Sequence, residues 1–234
     1  MSDISVVLTA NNRPEYFEKV LSYWARVHGL PSSMMSCQFE TQPDGDAMMN
    51  LWRQYFPFSD YHINSEHLGP LGNPHAALDR VFHEDDPDFV ILGEDDSIVS
   101  EDVLDFFTWA ADHYRYDPTV FAVCSFTQHY PNPEPDKVYG RKYFASVVWG
   151  TWRDTWDEII KWDWGFSYDE AWDAKFLRIL DEQDLVCIFP ETSRSQHIGE
   201  HGTHMGPEDF LRLQATQFYE GPIVTVYEEA PCRL

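Results

Sequence analysis

The sequence predicts an α/β domain built on a mixed, mostly parallel sheet flanked by helices. Three observations carry this. Apolar runs rich in β-branched residues alternate along the chain with segments of helical periodicity. The run Phe89-Val90-Ile91-Leu92 lacks the alternation of a half-wet strand, as expected of a parallel strand buried on both faces. After Gly93 that run stops at three consecutive carboxylates, Glu94-Asp95-Asp96, so charge collects at the C-terminal end of a strand, where open α/β sheets bind ligands.

The elements follow in order. Residues 4–9 form a first strand. Asn11-Asn12-Arg13-Pro14-Glu15 is a turn, and Pro14 suits the first turn of a helix in which Tyr16, Val20, Leu21, Trp24 and Val27 recur at helical spacing. Residues 36–40 are a second strand with Pro43-Asp44-Gly45-Asp46 as the loop at its end, 48–55 a short helix, and 61–64 a third strand. Residues 68–74 are rich in Gly and Pro and form a loop before a helix over 75–83. After the 89–92 strand, Ser100-Glu101-Asp102 caps a helix through Phe106, Phe107 and Ala110. Residues 120–125 form another buried strand. Residues 127–142 are polar with three prolines and form a long loop, a kind of segment that often carries function. Beyond the apolar stretch 144–150 come a helix over 151–160, an aromatic loop over 162–168, a helix over 169–180 and a core strand over 185–190. A Gly- and His-rich loop over 193–206, a helix over 207–216 and a strand over 223–227 complete the chain.

At 234 residues the chain can bury a sizeable core, and no repeat or linker divides it, so one domain is expected. Its 43% hydrophobic content excludes a disordered chain, and its 16% aromatic content supplies flat faces for stacking on sugars or bases. No apolar run approaches the ~20 residues of a membrane span. The start, Met1-Ser2-Asp3-Ile4, has no basic stretch, so the expected location is cytoplasmic, with no membrane partner. Cys37, Cys124 and Cys187 lie in or beside apolar runs without a Cys-x-x-Cys pair, which predicts buried thiols and excludes a cysteine zinc site. A net charge of −24 repels nucleic acid at long range, so nucleic acid enters only as an acceptor to be modified.

Three adjacent carboxylates repel one another unless something neutralises them. Mg²⁺ or Mn²⁺ does so with oxygen ligands, often one or two carboxylates plus phosphate oxygens. An acidic loop facing water is the alternative. Asn11-Asn12-Arg13, Asp44, Glu94-Asp95-Asp96 and Asp169-Glu170 follow predicted strands on what should be one sheet edge. Together they make a kit for a nucleotide-linked donor: Arg13 for base or phosphate, Asp44 for a base N–H such as uracil N3, and the cation for the diphosphate. The bland alternatives are a solvent arginine at a helix start, a turn residue before Gly45 and helix N-terminal charge at Asp169 and Glu170. His75, at the expected helix start, meets phosphate or merely caps. His197, His201 and His204 cluster late in the chain. Their spacing allows a third metal ligand, support behind the ligands, contact with the diphosphate, or an exposed polar loop.

Val90-Ile91-Leu92-Gly93-Glu94-Asp95-Asp96-Ser97-Ile98, followed by Asp105-Phe106-Phe107, resembles the Glu-Asp-Asp segment of the N-acetylglucosaminyltransferase I-like family, which has the GT-A fold. Ala77-Leu78-Asp79-Arg80-Val81-Phe82 is similar to the helix before that segment. Ile188-Phe189-Pro190-Glu191-Thr192-Ser193-Arg194 is similar to the family's late Arg-Pro-Glu-Ile-Ser-Arg segment. The resemblance covers roughly residues 4–210. It implies a glycosyltransferase that moves a sugar from a UDP-sugar to a hydroxyl with inversion, using Mn²⁺ (or Mg²⁺). Residues 1–125 would be the nucleotide-binding half and 126–234 the acceptor-binding half. Carried over by position, Arg13 and Asp44 contact uridine; Asn11, His75, Arg194 and His201 are further candidates for the donor on their own residue types and places in the chain. Asp96 is the direct metal ligand, with Asp95 and His204 as further candidates. Glu94 and Asp95 touch nucleotide and sugar hydroxyls, and Trp149 and Trp164 line the sugar or acceptor pocket. The family's base lies in a Trp-Asp-Asp-Trp stretch, matched to Tyr168-Asp169-Glu170-Ala171-Trp172, so Asp169 is the expected base and Glu170 the reserve. The acceptor would be a glycan, a small molecule, a protein or a modified base in viral DNA. Two departures stand out: the family's late segment is not His-rich, and its membrane anchor and stem have no counterpart here. A nucleotidyltransferase is one competitor, for which Asn11-Asn12-Arg13-Pro14 is a poor phosphate loop; a non-catalytic sugar-binding module is another.

Overall fold

Seven residues of almost unbroken apolar character make β1 (Ile4–Ala10) a strand that must be covered on both faces. The computed structural model describes residues 2–41, 46–128, 132–167, 169–200 and 206–230. In it, β1 lies between β2 (Met35–Phe39) and β4 (Phe89–Glu94) and is parallel to both. β3 (Asp60–Ile63) extends this parallel set beyond β2. Past β4 the sheet becomes mixed. β8 (Trp149–Trp152) runs antiparallel between β4 and β6 (Val120–Cys124). β11 (Val186–Pro190) is parallel to β6, and β7 (Lys137–Arg141) is antiparallel to β11. With β13 (Glu228–Glu229) at the far edge, the order is β13-β7-β11-β6-β8-β4-β1-β2-β3. Because β8 enters between two strands of the first 125 residues, both halves of the chain share one sheet.

Alternation along the central strands divides the core. Val6, Leu8, Phe89 and Ile91 face one layer, with Phe17, Leu21 and Trp24 of α1 (Pro14–Trp24), Trp52 of α2 (Asp46–Tyr55), and Phe106 and Phe107 of α4 (Val103–His113). Val7, Val90 and Leu92 face the other. There they meet Ala77, Leu78 and Phe82 of α3 (Gly69–Glu84) and Trp172, Phe176 and Ile179 of α6 (Trp172–Glu182). A one-turn helix α5 (Arg153–Thr155) follows β8, and α7 (Pro207–Gln214) packs Leu213 against the second of these layers. Two short ribbons complete the description: β5 (Ser97–Val99) with β12 (Ser195–His197), and β9 (Phe166–Ser167) with β10 (Glu170–Ala171).

Several boundaries differ from the sequence expectation. The Gly/Pro stretch is the start of α3, with Pro70 in its first turn and Pro74 inside it. Burial of Asn73, Pro74, Ala77 and Leu78 offsets the ladder bond that Pro74 cannot make. The polar stretch after Thr127 contains β7, whose Val138 is fully buried. Residues 223–227 form no strand, and the edge strand is the pair Glu228–Glu229. α6 begins at Trp172, so Asp169 sits in a turn and Glu170 in β10. Cys37, Cys124 and Cys187 are buried free thiols, as expected. Among the described residues, no helix is long and apolar enough to cross a membrane.

Candidate active site

β1 and β4 are parallel neighbours, with Thr9 opposite Glu94, so the turn after β1 and the acidic run after β4 leave the sheet at the same edge. There the backbone N–H of Asn11 donates to Asp95 Oδ2 at 3.0 Å. The Arg13 guanidinium spans two carboxylates, with Nη2 on Asp95 Oδ1 and Nη1 on Asp96 Oδ2, the latter at 2.6 Å. Both aspartates are buried. Burial opposes the Arg13 cation, but the charges of Asp95 and Asp96 outweigh it and hold its pKa above the ordinary value.

One guanidinium does not balance three carboxylates. Burial, aided by the Asp96 and Asp95 charges, pushes the Glu94 carboxyl up to about 8. Burial also lifts Asp95 to about 6, although Arg13 pulls the other way. A buried, oxygen-only set that is short of positive charge fits a hard divalent cation. Asp95 Oδ2 accepts from Asn11 and Oδ1 from Arg13, which orients the carboxylate and leaves each oxygen a second lone pair. Among the described residues, Asp96 Oδ1 meets only the Ser97 hydroxyl, at 3.5 Å, so it is the least engaged oxygen for a cation. Among the described residues, no group of three His, Cys, Asp or Glu forms a ready cage. Mg²⁺ and Mn²⁺ suit such a sparse site, since they accept one or two carboxylates and complete their shell with phosphate oxygens and water.

The raised Glu94 value sets a pH dependence. A carboxyl whose folded pKa exceeds its unfolded value destabilises the fold increasingly as pH rises from the unfolded value, near 4.5, to the folded value, about 8. In chelator-treated protein, Glu94→Gln is therefore expected to match the parent at pH 5 and to exceed it above pH 8 by a few kcal/mol, at ~1.4 kcal/mol per pKa unit. Thermal melts across that range check this.

A late segment completes the cluster. Antiparallel pairing of β12 with β5 sets His197 opposite Ser97, and Ile198 N–H donates to the Asp96 carbonyl at 2.7 Å. His197 Nε2 lies 3.8 Å from Asp96 Oδ2, and its Nδ1 accepts the Gly199 N–H at 2.9 Å. Burial lowers the His197 pKa against the pull of Asp96. A Cβ at Gly199 would fall 2.6 Å from Asp96 Oδ2 and 2.7 Å from His197 Cε1, so only glycine fits that wedge.

A further carboxylate approaches from α6. Asp173 is exposed in the first turn of α6, and its charge is among those that raise Glu94. Trp172 beside it is buried and stacks on Trp164 at 4.8 Å and Trp149 at 5.8 Å, which anchors the start of the helix. Asp173 was missed by sequence reasoning, although Trp172-Asp173 is one of three Trp-Asp pairs in the chain and lies beside the stretch matched to the family's Trp-Asp-Asp-Trp.

Other expected site residues fall elsewhere. Asp169 is exposed in its turn, and Glu170 is exposed and paired with Arg178 at 3.1 Å; neither bonds to the acidic cluster. Trp149 and Trp164 are core residues rather than an open pocket lining. His75 lies well inside α3, not at its start. Its ring packs on Trp156, Trp164 and Phe166 at 5.1–5.3 Å, and burial lowers its pKa. Arg194 is fully buried: its Nε lies 3.1 Å from both oxygens of Asp102, and its other nitrogens donate to the carbonyls of Thr192 and Pro135. It therefore does not reach a donor, and Asp102, spent on Arg194, makes no side-chain cap to α4. Asp44, His201 and His204 lie outside the described residues.

A model of the GNT-I family matches residues 73–214. The alpha-1,3-mannosyl-glycoprotein 2-beta-N-acetylglucosaminyltransferase of Arabidopsis thaliana is 31% identical over 134 residues, which is 56% of this chain and 29% of that protein. Among solved structures, S. aureus TarS 1-349 in complex with UDP-GlcNAc superposes with a TM-score of 0.58 at 13% identity, covering 90% of this chain and 64% of TarS 1-349. The mannosyltransferase PcManGT from Pyrobaculum calidifontis, in complex with GDP-Man and Mn²⁺, gives 0.56 at 13% identity, covering 81% of this chain and 55% of its own. The chain thus spans under a third of the Arabidopsis relative and 55–64% of these two structures. The fold is GT-A.

Proposed function

The chain belongs to the GNT-I family, and from that premise we propose that it is a metal-dependent, inverting glycosyltransferase that takes its sugar from a UDP-sugar. The observation that carries this is the cluster at the end of β4. Arg13 is fixed across Asp95 and Asp96, the site is short of positive charge, Asp96 Oδ1 is the less engaged carboxylate oxygen, and the Asp173 charge is felt at Glu94. UDP-GlcNAc is the first donor to try, since the Arabidopsis relative is named as an N-acetylglucosaminyltransferase and TarS binds UDP-GlcNAc.

In this mechanism Asp96 would hold the cation, and Arg13 would offer its remaining donor capacity to the nucleotide. When bound, the cation stabilises the negative charge that develops on the departing diphosphate. Asp173 accepts the proton of the acceptor hydroxyl as that oxygen forms its bond to the anomeric carbon. The glycosidic bond to phosphate breaks on the opposite face, so configuration inverts and no nucleophilic Ser or Cys is needed. Glu94, protonated near neutrality before the cation arrives, can donate a hydrogen bond to a sugar hydroxyl.

Release of UDP from UDP-GlcNAc in the presence of Mn²⁺, with GDP-mannose run beside it, tests the assignment. Asp173→Asn is expected to slow that release by about 10²–10⁴-fold, the usual contribution of a general base, with the donor KM little changed. Asp169→Asn should stay within about twofold, as surface changes away from the chemistry do. The reverse ranking would return the base to Asp169.

A further inference from the structure

We propose that His197 is a hydrogen-bond donor to the diphosphate of the bound nucleotide and not a ligand of the cation. This presupposes the donor site proposed above. A neutral imidazole carries one proton, and the nitrogen that accepts a hydrogen bond is the one without it. Gly199 N–H points at Nδ1 from 2.9 Å, so Nδ1 is the acceptor and the proton is on Nε2. A cation can bind only through a lone pair. For Nε2 to offer one, the proton would have to move to Nδ1, where it would meet the Gly199 N–H donor head-on.

The backbone leaves His197 little freedom to turn away from this. β12 is paired to β5 on one side, Gln214 Nε2 donates to the His197 carbonyl at 2.5 Å, and Ile198 N–H is bonded to the Asp96 carbonyl at 2.7 Å. Rotating the Gly199 peptide would free Nδ1, but the wedge between Asp96 and His197 is already tight there.

The position of Nε2–H fits a donor to an anion. Nε2 is 3.8 Å from Asp96 Oδ2, too far for a hydrogen bond, and that oxygen is already held by Arg13 at 2.6 Å. Arg13 and His197 therefore both approach Asp96 at Oδ2 with N–H groups, while Oδ1 would be the oxygen to hold the cation. Phosphate oxygens drawn in by that cation would meet both donors.

The test uses the full chain with UDP as probe. Titrations of Mn²⁺ alone, followed by paramagnetic resonance, and of UDP with saturating Mn²⁺, followed by calorimetry, are compared for the parent, His197→Ala and His197→Gln. His197→Ala is expected to weaken UDP about tenfold or more, as loss of a hydrogen bond to a charged group does, and to leave Mn²⁺ affinity unchanged. His197→Gln, which keeps an N–H donor, should recover most of the UDP affinity. ¹⁵N spectra of histidine-labelled protein should show the proton on Nε2. A tenfold loss of Mn²⁺ affinity in His197→Ala, or a proton on Nδ1, would make His197 a metal ligand and overturn the proposal. UDP affinity unaffected by His197→Ala would overturn it alone; absence of UDP binding by the parent would overturn the donor site as well.

Discussion

Asp96→Asn is expected to reduce sugar transfer by at least about 10³-fold, because in the proposed mechanism this residue would hold the charge-stabilising cation, worth several kcal/mol in the transition state. The fold should survive the change. Asp96 keeps its backbone bond from Ile198, and an asparagine oxygen can still accept from Arg13. Removing one buried negative charge from a cluster with one guanidinium also relieves repulsion on Glu94. The variant should therefore melt no lower than the parent in chelator, yet gain no stability from Mn²⁺ with UDP. Retained transfer, or a matching loss of fold and activity, would show that Asp96 is structural.

The largest loss of stability is expected away from the chemistry. In Asp102→Ala the Arg194 guanidinium, 0% exposed, loses its carboxylate and keeps two carbonyls and the Tyr219 ring at 4.0 Å. Breaking a buried pair by removing one partner typically costs about 3–5 kcal/mol, because the other charge stays buried. In a chain of this size that lowers Tm by roughly 6–20 °C. Asp102 also accepts from Ser100 Oγ at 2.7 Å, so the turn before α4 loosens with it. The double change Asp102→Leu with Arg194→Met should recover much of the loss, since an apolar pair of similar volume need not be less stable than the ion pair. Arg194 immediately precedes β12, so the single variant should also disturb His197 and weaken nucleotide binding. Unchanged melting in Asp102→Ala would mean that water reaches Arg194.

How much of this was legible in the sequence depends on the range of the cause. The β4 run and its carboxylates are legible because a parallel core strand and a charge triplet are both local signals. The meeting of Arg13 with Asp95 and Asp96 follows from two predicted parallel strands becoming neighbours, a modest step. The pairing of β12 with β5 was not legible: three residues on each side carry no periodicity, and they meet across about a hundred positions. His197 thus seemed one of three equivalent histidines, when its register opposite Ser97 sets it against Asp96. Arg194 and Trp149 were misplaced for a related reason. Arginine and tryptophan suit both ligand sites and cores, and only the burial of Asp102 and the aromatic stack of Trp164 and Trp172 decide between them. Asp169 is the expected base only through the match of residues 168–172 to the Trp-Asp-Asp-Trp stretch, a match that sets the expected base before Trp172 and not after it. With α6 beginning at Trp172, Asp173 falls in its first turn, and its charge is among those that raise Glu94.

Calorimetric titration of UDP-GlcNAc into the parent and Asp96→Asn, each with Mn²⁺ and with chelator, tests the central claim most directly. The account predicts saturable binding in one of the four cells alone, the parent with Mn²⁺. Equal binding in chelator, or in Asp96→Asn with Mn²⁺, would contradict a cation held by Asp96 at the end of β4.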